Sequence, residues 1–180
     1  MNNGFTRITL YMLVLVVLSG MANSKSIEKS AVIAAPIDSV WAAWTTPEGV
    51  KSFFAPDCKI ELKPGGAYEM YFDSEAPAGQ RGSEGCVVKY LNPETELHFT
   101  WNAPPHLPDV RKERTLVKLY LTALSDSETQ VKLVHEGWGE GKEWNKAFEY
   151  FDAVWGQVVL ARLQYRFVNG PIDWNNPPPM

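Results

Sequence analysis

The sequence predicts an α+β domain, with a curved seven-stranded antiparallel sheet wrapped around a long C-terminal helix and two short helices inserted after the first strand. Three observations carry this reading. From Cys58 to His135 apolar residues alternate with polar ones, the period of strands with one buried and one wet face. From Trp144 to Phe167 they recur instead at steps of three and four, the stripe of an amphipathic helix. Between Ala35 and Phe54 two helix-start signals, each beside a proline, open short apolar periods.

Residues 26–34, SIEKSAVIA, read as the first strand, ending at Ala35-Pro36. Asp38 or Ser39 then caps a short helix with Val40, Trp41 and Trp44 on its apolar side. TTPEG repeats the device: Thr46 as cap, Pro47 at the first helical position and Glu48 in the first turn, followed by Val50, Phe53 and Phe54. Cys58, Ile60 and Leu62 form the next inward set, and Pro64-Gly65-Gly66 turns the chain toward Tyr68, Met70 and Phe72. Cys86, Val88 and Tyr90 follow, then Leu97, Phe99 and Trp101, then Val117, Leu119 and Leu121, and finally Val131, Leu133 and His135. NAPPHLPDVRK, residues 102–112, holds three prolines and reads as a loop over one end of the sheet. The long helix runs to about Phe167, roughly 25 residues or near 37 Å at about 1.5 Å per residue. Asn169-Gly170-Pro171 stops it, and residues 169–180 read as an extended, mobile tail.

With 180 residues, 45% apolar and 21% charged, the chain is long enough for one domain with a real core. It is neither disordered, collagenous nor a multi-span membrane protein. A formal charge of -4 from 17 basic and 21 acidic residues leaves no electrostatic footprint for nucleic acid. The 7 Trp, 7 Tyr and 8 Phe are a surplus that suits a large core, a cavity wall or a binding face.

The opening segment has no acidic residue, Arg7 as its one cation, and an apolar stretch from Ile8 to Leu18. That stretch is too short for a hydrocarbon core needing about 20 residues. Small residues follow at Ser19, Gly20, Ala22 and Ser24. Residues 1–22 read as a secretory signal cleaved after Ala22 or Ser24, giving a periplasmic or secreted protein. An uncleaved anchor, or translation from Met21 and a cytoplasmic protein, are the alternatives. The mature domain is mildly acidic, so no stable membrane association is expected.

A sheet curling around a helix leaves a wedge between them. Its inward sets contain no lysine and no carboxylate, so the wedge is expected to accept a small hydrophobic or aromatic molecule. The expected lining is Phe72, Tyr90, Phe99, Trp101, Leu119, His135, Phe151 and Trp155; a filled, ligand-free core is the competing reading. His135 is the single candidate base, since parity sets its imidazole on the apolar face, where it loses its proton and needs a partner. Asp152 on the long helix either faces it or sits at the wet edge. His106 reads as a solvated residue of the mouth.

GWGEGK, residues 137–142, lacks the glycine and the hydroxyl residue a phosphate loop needs, and its glycines read as a tight strand-to-helix turn. His135-Glu136 lacks the second histidine of a zinc-protease motif, and no metal or other cofactor is expected. Cys58 and Cys86 share the inward face. If Leu62 pairs near Tyr68 and Met70 near Cys86, one strand separates the thiols by two spacings, about 9.5 Å. A disulfide allows at most about 7 Å between Cα atoms, so two separate buried thiols are expected.

APIDSVWAAWTTPEGVKSFF and HEGWGEGKEWNKAFEYFDAVWGQVVLARLQYRF resemble the start and end of helix-grip domains of the START-like superfamily, also called SRPBCC. Within it the chain is most similar to the C-terminal domain of the activator of Hsp90 ATPase and its bacterial relatives. Pro36, Val40, Trp41, Thr46, Pro47, Glu48 and Gly66 carry the match at the front. His135, Gly137, Trp138, Trp144, Phe151, Trp155, Gly156 and Leu163 carry it at the end. The resemblance covers residues 26–168 and implies a hydrophobic-ligand scaffold without a shared catalytic set. Some relatives are polyketide cyclases, some carry lipids, and one stimulates a cytosolic chaperone. A cyclase or hydrolase using His135 as base, and a protein-interaction module of the Hsp90-activator type, are therefore the alternative functions. A secretory signal argues against the chaperone role.

Overall fold

The alternation from Cys58 onward becomes hydrogen-bonded ladders in the computed structural model, which describes residues 25–179. β1 (Ile27–Ile33), β4 (Val88–Asn92), β5 (Glu96–Trp101), β6 (Thr115–Ser125) and β7 (Glu128–Glu136) form a sheet in the order β1-β7-β6-β5-β4. Every pairing in it is antiparallel. β2 (Asp57–Ile60) and β3 (Tyr68–Tyr71) form a two-stranded ribbon. The ribbon is stitched to the β4 edge: the Tyr68 amide donates to the Cys86 carbonyl at 2.9 Å and the Val88 amide to Gly66 at 2.9 Å.

Seven strands are thus present, divided five and two. The ladder breaks between β3 and β4, where Gly82 crosses β3 so closely that a Cβ there would lie 1.9 Å from the Met70 carbonyl oxygen. Within the ribbon Cys58 faces Met70 and Ile60 faces Tyr68. The expected pairing of Leu62 with Tyr68 is therefore two residues out, and Leu62 lies beyond the ladder, exposed. β3 still separates the cysteines, and both are free.

The two short helices are α1 (Ile37–Thr45) and α2 (Pro47–Lys51). The Thr46 hydroxyl accepts the Gly49 amide at 3.0 Å, and Pro47 sits where no amide is needed. The cap of α1 lies two residues before Asp38 and three before Ser39: Pro36 occupies the N-cap without a side-chain bond, and Asp38 lies in the first turn. There its carboxylate suits the positive helix end.

The C-terminal helix is continuous but not uniform. α3 (Lys142–Val154) opens after Gly141, whose φ of +111° turns the chain out of β7. Residues Trp155–Leu160 widen into a π-helical turn, and α4 (Ala161–Asn169) resumes the tighter spiral. The helix lies across the inward face of the sheet. Trp44, Phe53, Phe54, Tyr68, Phe99 and Trp155 are among the largest fully buried side chains of the core they form together.

Beyond the helix the chain meets the rest of the domain at two points. Ile172 is buried and its amide donates to the Ser52 carbonyl at 2.9 Å, while the Trp174 indole donates to Lys51 at 2.6 Å. The apolar side chain and the indole give this proline-rich segment contacts that composition alone did not suggest. Among the described residues no helix is long and apolar enough to cross a membrane. The segment read as a signal, residues 1–22, lies outside the described residues.

α2 folds back onto α1 at Gly49, where a Cβ would stand 2.1 Å from the Ala42 carbonyl oxygen and 2.6 Å from the Ala43 Cα. Both obstacles are backbone and cannot swing aside. Gly49→Ala is expected to destabilise the protein by about 1–3 kcal/mol, read as a lower urea midpoint with unchanged slope.

Candidate functional site

Between the helix and the ribbon end of the sheet lies a cavity of about 470 Å³. Its apolar walls are Phe54 after α2, Trp101 at the end of β5, and Phe151, Trp155, Val158 and Val159 of the helix. The π turn explains why two consecutive valines both reach it: extra residues per turn broaden the face that points one way. The rings are mutually supported. Phe54 stacks on Trp101 with centroids 5.7 Å apart, Trp101 meets Trp155 at 5.4 Å, and Trp155 stacks on Phe151 at 5.9 Å.

The rim is polar and comes from loops. The turn holding Asp73, Arg81 and Ser83 forms one side, and Asn102 with Pro104 and Pro105 forms another, joined by Arg111, Tyr150 and Arg162. The Arg111 guanidinium donates to the carbonyls of Gly79, Gly82 and Ala103 and faces Glu84 at 3.7 Å. It thereby ties the proline-rich loop to the loop after β3.

Of the eight residues expected to line the wedge, Phe72, Trp101, Phe151 and Trp155 do so. Phe99, Leu119 and His135 stand behind the lining, fully buried in the core. Tyr90 is a correction: a bulge between Val88 and Tyr90 reverses the parity of β4. Tyr90 therefore lies opposite His98, and both rings sit on the outer face, 5.1 Å apart. Phe72 lines the cavity from beyond the end of β3 and remains 46% exposed, so it forms part of the mouth. His106 is exposed beside Tyr150, its ring centroid 5.9 Å away, at the same mouth.

The environment of His135 fixes its chemistry. The Trp155 indole donates to Nδ1 at 2.9 Å, which requires the imidazole proton to sit on Nε2. Nε2–H in turn donates to the Thr115 hydroxyl at 2.7 Å, and that hydroxyl donates to the Trp101 carbonyl at 3.1 Å. Burial pushes the His135 pKa down to about 3. No lone pair is left for a substrate proton, and the ring lies behind the cavity wall. Asp152 takes the wet edge, exposed and paired with Lys29 at 2.8 Å. The arrangement that a His135 base would need is not formed.

The thiols are similarly quiet. Burial raises both Cys58 and Cys86 to about 11, so they stay protonated and poorly nucleophilic at neutral pH. Among the described residues no three His, Cys, Asp or Glu side chains gather as a metal site.

A sequence model described as Activator of Hsp90 ATPase homolog 1-like protein matches residues 34–167. The chain belongs to this family. Its helix-grip architecture recurs in MLL2253 from Mesorhizobium loti, with TM-score 0.61 and 19% identity over 78% of this chain and 94% of that one. The Aha1 dimer from Colwellia psychrerythraea gives 0.60 and 20% over 81% and 98%. PFC0360w, an HSP90 activator from Plasmodium falciparum, gives 0.58 and 15% over 81% and 96%. At these identities the likeness is one of fold. No curated protein matches the sequence.

The residues that sequence reasoning missed are mostly the rim. Loop side chains such as Asp73, Arg81 and Arg111 obey no period. Phe54 and Arg162 did carry a signal, the first on the apolar side of α2 and the second seven residues beyond Trp155 on the same helix stripe.

A neutral folded histidine makes stability depend on pH. With its pKa lowered from 6.5 to about 3, His135 binds a proton in the unfolded chain and not in the folded one between those values. Its contribution is therefore intact above the unfolded pKa and falls as pH drops toward about 3, with a limiting slope of one proton. Urea midpoints measured at about pH 7 and about pH 5 are expected to differ more in the native protein than in His135→Gln.

Proposed function

We propose that the protein binds a small hydrophobic or aromatic molecule in the cavity between sheet and C-terminal helix. The observation that carries this reading is the cavity itself: about 470 Å³, within the roughly 300–1,000 Å³ usual for small-molecule sites, and walled by Phe54, Trp101, Phe151 and Trp155. A core built only for stability would close such a volume, because unfilled apolar space costs packing energy. The protein is read as a binding protein rather than a catalyst.

The test is quenching or enhancement of tryptophan fluorescence by a panel of hydrophobic compounds, since two of the walls are indoles. Saturable binding is expected. Val158→Trp, which fills the cavity from the helix surface, should weaken it at least tenfold with little loss of stability. Trp101→Ala should weaken it as well, at a cost of about 3–5 kcal/mol in stability. Absence of saturable binding across the panel would leave the cavity as unfilled core.

We further infer export, from the apolar run and small residues of segment 1–22. N-terminal sequencing of protein from its own source should begin at Asn23 or Lys25. A second reading, modulation of a chaperone, draws on the family match; recovery of the protein with Met1 or Met21 at its start, inside the cell, would favour it.

A further inference from the structure

We propose that the ligand is an amphiphilic anion, an aryl or alkyl carboxylate whose head group meets Arg162 while its apolar body lies against Trp101, Phe151 and Trp155. This rests on the ligand-binding reading above and adds the chemical class.

A chain of net charge -4 surrounds this one cavity with three guanidinium groups, Arg81, Arg111 and Arg162, against the single carboxylate of Asp73. Asp73 is turned into its own loop, accepting the Glu75 amide at 3.0 Å. Arg111 is committed to three carbonyls and Glu84, as described above. Arg81 donates through Nε to the Ala76 carbonyl at 3.2 Å.

Arg162 is different. Among the described residues it forms no ion pair, and its buried Nε–H has no acceptor. Burial lowers its pKa, the sign of a cation held where water solvates it incompletely. Its position is built, not incidental. It reaches the cavity from the first turn of α4, alongside Trp155, Val158 and Val159, and the Trp174 ring lies 5.2 Å from its guanidinium carbon. Trp174 is itself tied to Lys51, so the tail holds the guanidinium against the end of the cavity.

A desolvated N–H without an acceptor is costly, more so on a charged group. The residue nevertheless stands beside apolar walls that would suit an uncharged side chain. A carboxylate entering along those walls brings the opposite charge to a guanidinium that has no ion pair, and its two oxygens match the planar fork of arginine. An inorganic anion would leave the aromatic walls without a partner, and a neutral ligand would leave the guanidinium as it stands.

The test is isothermal titration calorimetry of the full-length protein with two matched pairs: 2-naphthoate with 2-naphthamide, and decanoate with decanol. In each pair the carboxylate is expected to bind at least tenfold tighter. In Arg162→Met the ratio should fall to within about twofold, and Arg162→Lys, which keeps the charge and loses the fork, should retain part of it. Equal affinity within both pairs in the native protein would overturn the anion assignment while leaving the cavity reading in place. A carboxylate preference that survives Arg162→Met would overturn the assignment to Arg162. If no member of either pair binds while the fluorescence panel shows saturable binding, this inference fails and the cavity reading stands; if the panel fails too, both fail. The native protein's own ratios decide the anion question even if a variant fails to fold.

Discussion

The buried polar tie between helix and sheet runs through a neutral imidazole. His135 stands near the end of β7 with Val117 of β6 on one side and Ile27 of β1 on the other. It accepts from Trp155 on the helix and donates to Thr115 on β6, which donates to the backbone of Trp101 on β5. The relay thus begins and ends at two residues of the cavity wall. Its members are all buried, so each bond is made in a medium where an unmade one would be expensive. Ring packing alone would allow the helix to slide along an apolar face; a directional relay does not. The same bonds that set the wall in place take the histidine out of any catalytic role.

Around this fastening the aromatic surplus forms one connected body. Trp44, Phe53 and Phe54 pack together at the end of α1 and α2, Phe54 passes contact to Trp101 and Trp155, and Phe151 continues it toward Trp138. Edge-on and stacked contacts of this kind are directional enough to hold an opening that aliphatic side chains would tend to fill. The family shares the scaffold, whereas what enters it depends on the side chains of each member.

How much of this could be read from the chain follows from what periodicity measures. Alternation located β4 to β7 of the main sheet, and a step of three or four located the long helix, because burial on one face leaves that imprint. The same rule misassigned Tyr90, since one inserted residue in β4 reverses parity without changing composition. It also passed over Arg162, because a charged residue on a helix is ordinarily a solvated one. The rim of the cavity was illegible for a related reason: Arg81 and Arg111 reach it from loops far apart in sequence, which the Arg111 guanidinium joins through Gly79, Gly82 and Glu84. The tail's contacts through Ile172 and Trp174 left no imprint either, because two anchors among prolines and asparagines form no period.

The π turn has a consequence for how the cavity mouth can vary. A widened turn of this sort corresponds to a single residue added within an α-helix. The wider turn spreads the extra residue over its own length, so deleting one position from residues 155–160 would close it to an ordinary α-helical turn and leave α4 near its present phase. Trp155 would keep its bond to His135 and Arg162 its place at the cavity, while the broad face that brings Val158 and Val159 together would narrow. A single codon gained or lost here therefore alters the breadth of the apolar wall beside the mouth and leaves the cationic end where it stands.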